Sequence, residues 1–146
     1  MNTHDLARAN LERGAAILDE AQRLADRRLW NLVVRRCQET TELALKGALL
    51  WATLEAPKTH DVSALLQQYS ERFPPSFTAH IPQLASISRA LRVERERSFY
   101  GDEVSGLPPE TLYSQDDAQQ ALEKAALALT VCRQLFLEIN PEESEA

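Results

Sequence analysis

Residues 29–54, LWNLVVRRCQETTELALKGALLWATL, hold a helical periodicity from end to end. Val33, Cys37, Ala44, Gly47, Trp51 and Leu54 recur at intervals of 4, 7, 3, 4 and 3, with Thr40 in the gap. Leu29, Leu43 and Leu50 widen the apolar stripe. A spacing near 3.6 places these side chains along one side of a helix packed over its whole length. No proline interrupts the run, and at a rise of ~1.5 Å per residue it predicts a rod of roughly 39 Å. Such a rod suits the central stave of a bundle.

Outward from it, Leu11, Ala15, Leu18, Ala21 and Ala25 form a second stripe. They predict a helix from about residue 3 to residue 27, with Thr3 or Asp5 able to cap its start. The join at Arg27-Arg28 is short, so the two helices should form an antiparallel hairpin. Downstream, Ala56-Pro57 is the expected stop of the central helix. Thr59 or Asp61 then caps a short third helix, residues 62–72, with Val62, Leu65, Leu66 and Tyr69 on its apolar face. Pro74-Pro75 ends it. A fourth helix starts between Ala79 and Pro82 and runs to about Phe99, with Leu84, Ile87 and Leu91 facing inward. Residues 101–114 read as loop, because Gly106, Pro108 and Pro109 exclude regular structure. A fifth helix, capped by Ser114 or Asp116, carries Ala118, Leu122, Ala125, Leu129, Cys132, Phe136 and Ile139 to about Asn140, where Pro141 closes it. The fold class is therefore all-α: an up-and-down antiparallel bundle of four long helices plus a short one. The 146 residues form one domain, with its core at about 5–139 and a frayed acidic tail at 141–146.

Composition narrows the function classes. Charged residues are 26% and apolar residues 44%, an ordinary globular balance. The net charge of −6 argues against nonspecific nucleic-acid binding, which counterion release drives on basic surfaces; DNA is not an expected partner. No apolar run approaches the ~18 residues of a membrane span, and the polar start MNTHDLARANLERG is not a signal peptide. Cys37 and Cys132 both fall in phase with apolar seams, which reads as two buried free thiols and a cytoplasmic chain. No metal site and no cofactor is expected.

Four segments in order carry a family likeness. CQETTELALKGA (37–48) lies in the first hairpin, KTHDVSALL (58–66) follows it, RERSFYGD (95–102) ends the fourth helix, and YSQDDA (113–118) opens the last. This series resembles the HEPN domain, named for higher eukaryotes and prokaryotes nucleotide-binding, over roughly residues 5–139. The resemblance implies a helical bundle that dimerises, often beside a small nucleotidyltransferase in a toxin–antitoxin pair. Other members are metal-independent ribonucleases. These carry an arginine, four to six residues, then a histidine, near the end of the helix that is here the fourth. In this chain the corresponding positions after Arg95 are Tyr100, Gly101 and Asp102, and after Arg97 they are Asp102, Glu103 and Val104. The three histidines are His4, His60 and His80, so the proton-transfer role that histidine suits near neutral pH has no candidate there.

The residues left as binding candidates are Arg95, Arg97, Tyr100 and Asp102, which could grip a phosphate and stack a base, together with His60. The plainer reading of His60-Asp61 is a helix-capping turn, and that of the arginines a solvated helix end. Arg89, Arg92 and Arg95 recur every three residues and share one side. Glu42 and Lys46 are weaker candidates: they form a favourable i, i+4 pair on their own, and the resemblance places this face near an interior polar site. Trp30 and Trp51 read as core or interface anchors. The expected function is a noncatalytic HEPN-type protein that binds a nucleotidyltransferase-like partner, a second copy of itself, or a nucleotide or RNA phosphate. The alternatives are a metal-independent ribonuclease with an unusual site and a stand-alone helical scaffold.

Overall fold

The computed structural model of the chain describes residues 2–55 and 61–137. Eight α-helices and one 3-10 turn follow one another: α1 (Thr3–Asp26), α2 (Trp30–Trp51), α3 (Val62–Gln68), the turn Ser70–Arg72, α4 (Pro75–Thr78), α5 (Ile81–Arg92), α6 (Glu94–Tyr100), α7 (Pro109–Leu112) and α8 (Gln115–Leu137). The described residues form no strand, only an isolated bridge between Asp102 and Leu107. The chain is all-helical, as its periodicity predicts.

α2 is the central stave, packed against α1 and α8 along its length and against α3, α5 and α6 on its remaining side. Its expected seam is buried at Val33, Cys37, Thr40, Ala44 and Gly47. A second buried line, Asn31, Val34, Gln38, Thr41, Leu45 and Leu49, runs beside it, because α2 has neighbours on two sides. Trp30 and Trp51 are half-buried against the core, and Trp51 stacks on Phe73. The α1–α2 hairpin closes tightly because two glycines lie in the contact. A Cβ on Gly47 would come within 3.2 Å of the Ala7 carbonyl and of Leu11. Close by, the Thr40 hydroxyl donates to the Gly14 carbonyl at 2.9 Å. In α8 the alanines at 118, 121, 125 and 128 are buried, so that helix lies close on α2.

Several boundaries differ from the sequence expectation. α1 is capped by Asn2, not by Thr3 or Asp5; the Asn2 side chain accepts from the Asp5 amide, and Asp5 closes a capping box. α2 ends at Trp51, ahead of the proline. There Thr53 adopts a left-handed φ of 61°, and the amides of Leu54 and Thr53 bond back to the carbonyls of Leu49 and Leu50. That is a Schellman motif on a non-glycine residue, and Arg28 ends α1 the same way. The third helix stops at Gln68 and tightens into the 3-10 turn. The fourth divides at Val93 into α5 and α6. At this join α2 reaches across: Asn31 donates to the Ser98 carbonyl at 3.1 Å, and Arg35 donates to the Arg95 carbonyl. The Ser98 carbonyl lies in the last turn of α6, where no intrahelical donor reaches it, and Asn31 supplies one. The segment read as loop holds the short helix α7, begun by Pro109 at a position that needs no amide donor. Ser114 caps α8 as expected, bonding the Asp117 amide at 3.3 Å. The expected cap at Thr59, the candidate His60, and the end of the last helix with its tail lie outside the described residues.

Both cysteines are buried free thiols. Burial pushes Cys37 up to about 12 and raises Cys132 further in the same direction, so neither is a thiolate near neutral pH. No helix among the described residues is long and apolar enough to cross a membrane.

Candidate functional site

The second buried line of α2 leads to a polar cleft. Gln38, Thr41 and Glu42 form its floor, Asp61 and Val62 enter from the head of α3, and Ser88, Leu91 and Arg92 come from α5, with Arg95 from α6. The space is about 60 Å³, room for roughly four to six waters at ~10–15 Å³ each. That is room for a small oxyanion such as a phosphate group.

The local fold explains the lining. Gln38, Thr41 and Glu42 fall three and four residues apart, on one side of α2. Asp61 is held by its capping role: its carboxylate accepts from the Ser63 amide at 3.0 Å and the Ser63 hydroxyl at 2.7 Å, and it pairs with Arg92 at 3.4 Å. Burial alone would raise its pKa; the bonds from Ser63, with Arg92 and the Ala64 amide, outweigh that and hold the carboxyl below its ordinary value. Glu42 pairs with Lys46 at 3.4 Å and accepts from Gln38 Nε2 at 3.1 Å. Both carboxylates at the cleft thus have a cation. Arg95 is exposed and has no carboxylate partner among the described residues.

Two atoms in this cleft are anomalous. Gln38 is 5% exposed and Thr41 2%, yet Gln38 Oε1 and Thr41 Oγ1 have no hydrogen-bond partner among the described residues. Buried polar atoms are nearly always paired, since leaving one unmade costs ~1–3 kcal/mol. Thr41 did not stand out in the sequence, and Gln38 did so only as the start of the polar face it shares with Glu42 and Lys46. The only other signal was that a glutamine and a threonine lie on a helix buried on two sides.

The sequence candidates separate into two places. Arg95 and Glu42 meet in the cleft, with Lys46 behind Glu42. Arg92 joins them, while Arg89 is outside the lining. Arg97, Tyr100 and Asp102 instead line an open groove of about 460 Å³, with Val93, Glu96, Glu103 and Val104. One arginine there faces three carboxylates, which disfavours a phosphate. Asp102 accepts from the Val104 amide at 3.0 Å; that bond and those from Ser105 hold its carboxyl below the ordinary value, away from the range a general acid or base at neutral pH needs. Tyr100 is 72% exposed and lies against Phe99. Beside α6, Tyr113 donates to Glu94, and burial, with that carboxylate, raises its pKa. His4 is elsewhere, stacked on Trp51 and edge-on to Phe136, and His80 precedes α5. No group of three or more histidine, cysteine or acidic side chains that could hold a metal occurs among the described residues.

Neither the curated proteins nor the solved structures yield a match to the chain. The family model of the HEPN domain matches residues 7–135, a span that takes in α2, the cleft and nearly all of α8. The helical bundle and this match together place the chain in the HEPN domain family.

Proposed function

We propose that this HEPN domain acts by binding rather than by turnover, holding a nucleotide or RNA phosphate in the cleft between α2, α3 and α5. The observation that carries the reading is the pair of buried atoms, Gln38 Oε1 and Thr41 Oγ1, beside the Arg95 side chain, none of the three with a partner among the described residues. An arginine and hydroxyl donors suit a phosphate oxygen. Family membership supports a nucleotide- or RNA-related role. The ribonuclease alternative lacks a proton-transfer group: no histidine follows Arg95 or Arg97, and general acid–base catalysis contributes typically ~10²–10⁴-fold.

A second copy of the chain or a nucleotidyltransferase-like protein is the proposed macromolecular partner. Trp30 and Trp51 are half-buried against the core, whereas Val93, Phe99, Tyr100, Val104 and Leu107 are exposed around α6 and the loop after it. That apolar surface is the natural contact. The test combines metal-free incubation with structured and single-stranded RNA, calorimetry with inorganic phosphate, and light scattering. Expected are no cleavage, saturable phosphate binding lost in Arg95→Ala, and a mass above the 16.4 kDa monomer. Robust cleavage by wild type that Arg97→Ala or Tyr100→Phe abolishes would overturn the binding reading in favour of a ribonuclease.

A further inference from the structure

We infer that the cleft selects a phosphate that still carries a proton, that is, a terminal phosphate monoester, over a diester or a fully ionised anion. This rests on the phosphate reading above and deepens it. Gln38 has a fixed orientation, because its Nε2 donates to Glu42 Oε2 at 3.1 Å and a flipped amide would set Oε1 against that carboxylate. Oε1 is therefore an acceptor, buried and without a donor among the described residues. The oxyanion-binding groups around it, Arg92, Arg95, Ser88 and Thr41, donate to a ligand's oxygens and leave Oε1 wanting a hydrogen that the ligand must bring.

A monoester supplies it. Its second pKa lies near ~6, so close to neutral pH a fraction carries one P–OH, which donates to Gln38 Oε1 while the other oxygens accept from the arginines and hydroxyls. A diester and sulfate have no such hydrogen in this range. The charged groups facing the ligand are Glu42 from α2, backed by Lys46, Asp61 at the head of α3, Arg92 from α5 and Arg95 from α6.

The experiment is calorimetric titration of the full chain at constant ionic strength, with inorganic phosphate against sulfate and methyl phosphate against dimethyl phosphate, at pH 6 and pH 8. One unmet buried acceptor corresponds to about a tenfold loss of affinity. Phosphate and methyl phosphate should therefore bind about tenfold tighter than sulfate and dimethyl phosphate at pH 6; toward pH 8 the preference for methyl phosphate should shrink as it loses its P–OH, while that for inorganic phosphate, whose dianion keeps one P–OH, should persist. Gln38→Met, which keeps the shape and removes the acceptor, should erase the preference and leave residual binding of both anions. Arg95→Ala should weaken both together. Equal binding of the four anions by wild type at both pH values would overturn the selectivity while leaving anion binding intact. Binding of none would overturn the phosphate reading itself, and the selectivity with it. The wild-type comparison decides the matter even if a variant fails to fold.

Discussion

Thr40 and Thr41 are neighbours on α2, equally buried, and should respond in opposite senses to the same change. Thr40 is 0% exposed and donates to the Gly14 carbonyl at 2.9 Å. Thr40→Val removes a hydrogen bond worth a net ~0.5–1.5 kcal/mol and sets a methyl where a hydroxyl sat at bonding distance, which adds a crowding cost. A loss of about 1–2 kcal/mol follows. Thr41 is 2% exposed and its hydroxyl is unpartnered. Thr41→Val keeps the shape, barely changes helix propensity and lifts a desolvation cost of ~1–3 kcal/mol. It should gain about 1–2 kcal/mol, or roughly 3 °C of Tm per kcal/mol for a chain this size. Urea unfolding followed by circular dichroism measures both, with the m-value expected unchanged. The gain should come with weaker phosphate binding, because a group that costs stability without a ligand is useful only with one. A clear loss of stability in Thr41→Val would refute the reasoning: its hydroxyl would then have a partner in solution, and the cleft would lose one of its two unmet groups.

Thr53 holds a left-handed φ of 61° at the end of α2, a conformation that costs an L-residue ~1–2 kcal/mol. Glycine's greater unfolded freedom takes back ~0.5–1 kcal/mol and loss of the bond from the Thr53 hydroxyl to the Ala52 carbonyl offsets most of the rest, so Thr53→Gly should stay within ~0.5 kcal/mol of wild type in thermal unfolding. Gly47→Ala should lower the urea midpoint by the equivalent of about 1 kcal/mol. Its Cβ would meet the Ala7 carbonyl and Leu11 at 3.2 Å, and overpacking of ~1–3 kcal/mol exceeds the ~1 kcal/mol gained in helix propensity. Asp61 has a folded pKa below its unfolded value. Its contribution is therefore complete above the unfolded pKa of ~4 and is lost as pH falls through the folded value. Asp61→Asn should be less stable than wild type at pH 7, with the gap closing below about pH 4.

The helices were legible because their causes are local or periodic. The 4-and-3 spacing of Val33, Cys37, Thr40, Ala44 and Gly47 fixes which side of α2 meets α1, and Pro74-Pro75 and Ser114 mark boundaries by their own backbone chemistry. Where a helix end depends on an unusual backbone conformation or on a distant partner, sequence signals misplace it. Ala56-Pro57 looks like the stop of α2, but a Schellman turn on Thr53 stops it earlier, and a threonine gives no sign of φ 61°. The break at Val93 has no proline or glycine to announce it; Asn31 and Arg35 bind carbonyls of α6 that lie 67 and 60 positions from them in sequence.

The chemistry was less legible still. From the spacing alone Arg95 and Arg97 belong to one cluster, yet two residues along a helix are some 200° apart, and the bundle puts one in the polar cleft and the other in the acidic groove. The sequence by itself determined the all-α class, the central stave, the buried thiols and the absence of a histidine after α6, since each depends on residue identity or on periodicity along a single helix. Only the tertiary structure decided that Gln38 and Thr41 face a cleft with atoms left unbonded. Whether a buried polar atom has a partner depends on what α3, α5 and α6 bring within about 3 Å of it, and no local pattern encodes that distance.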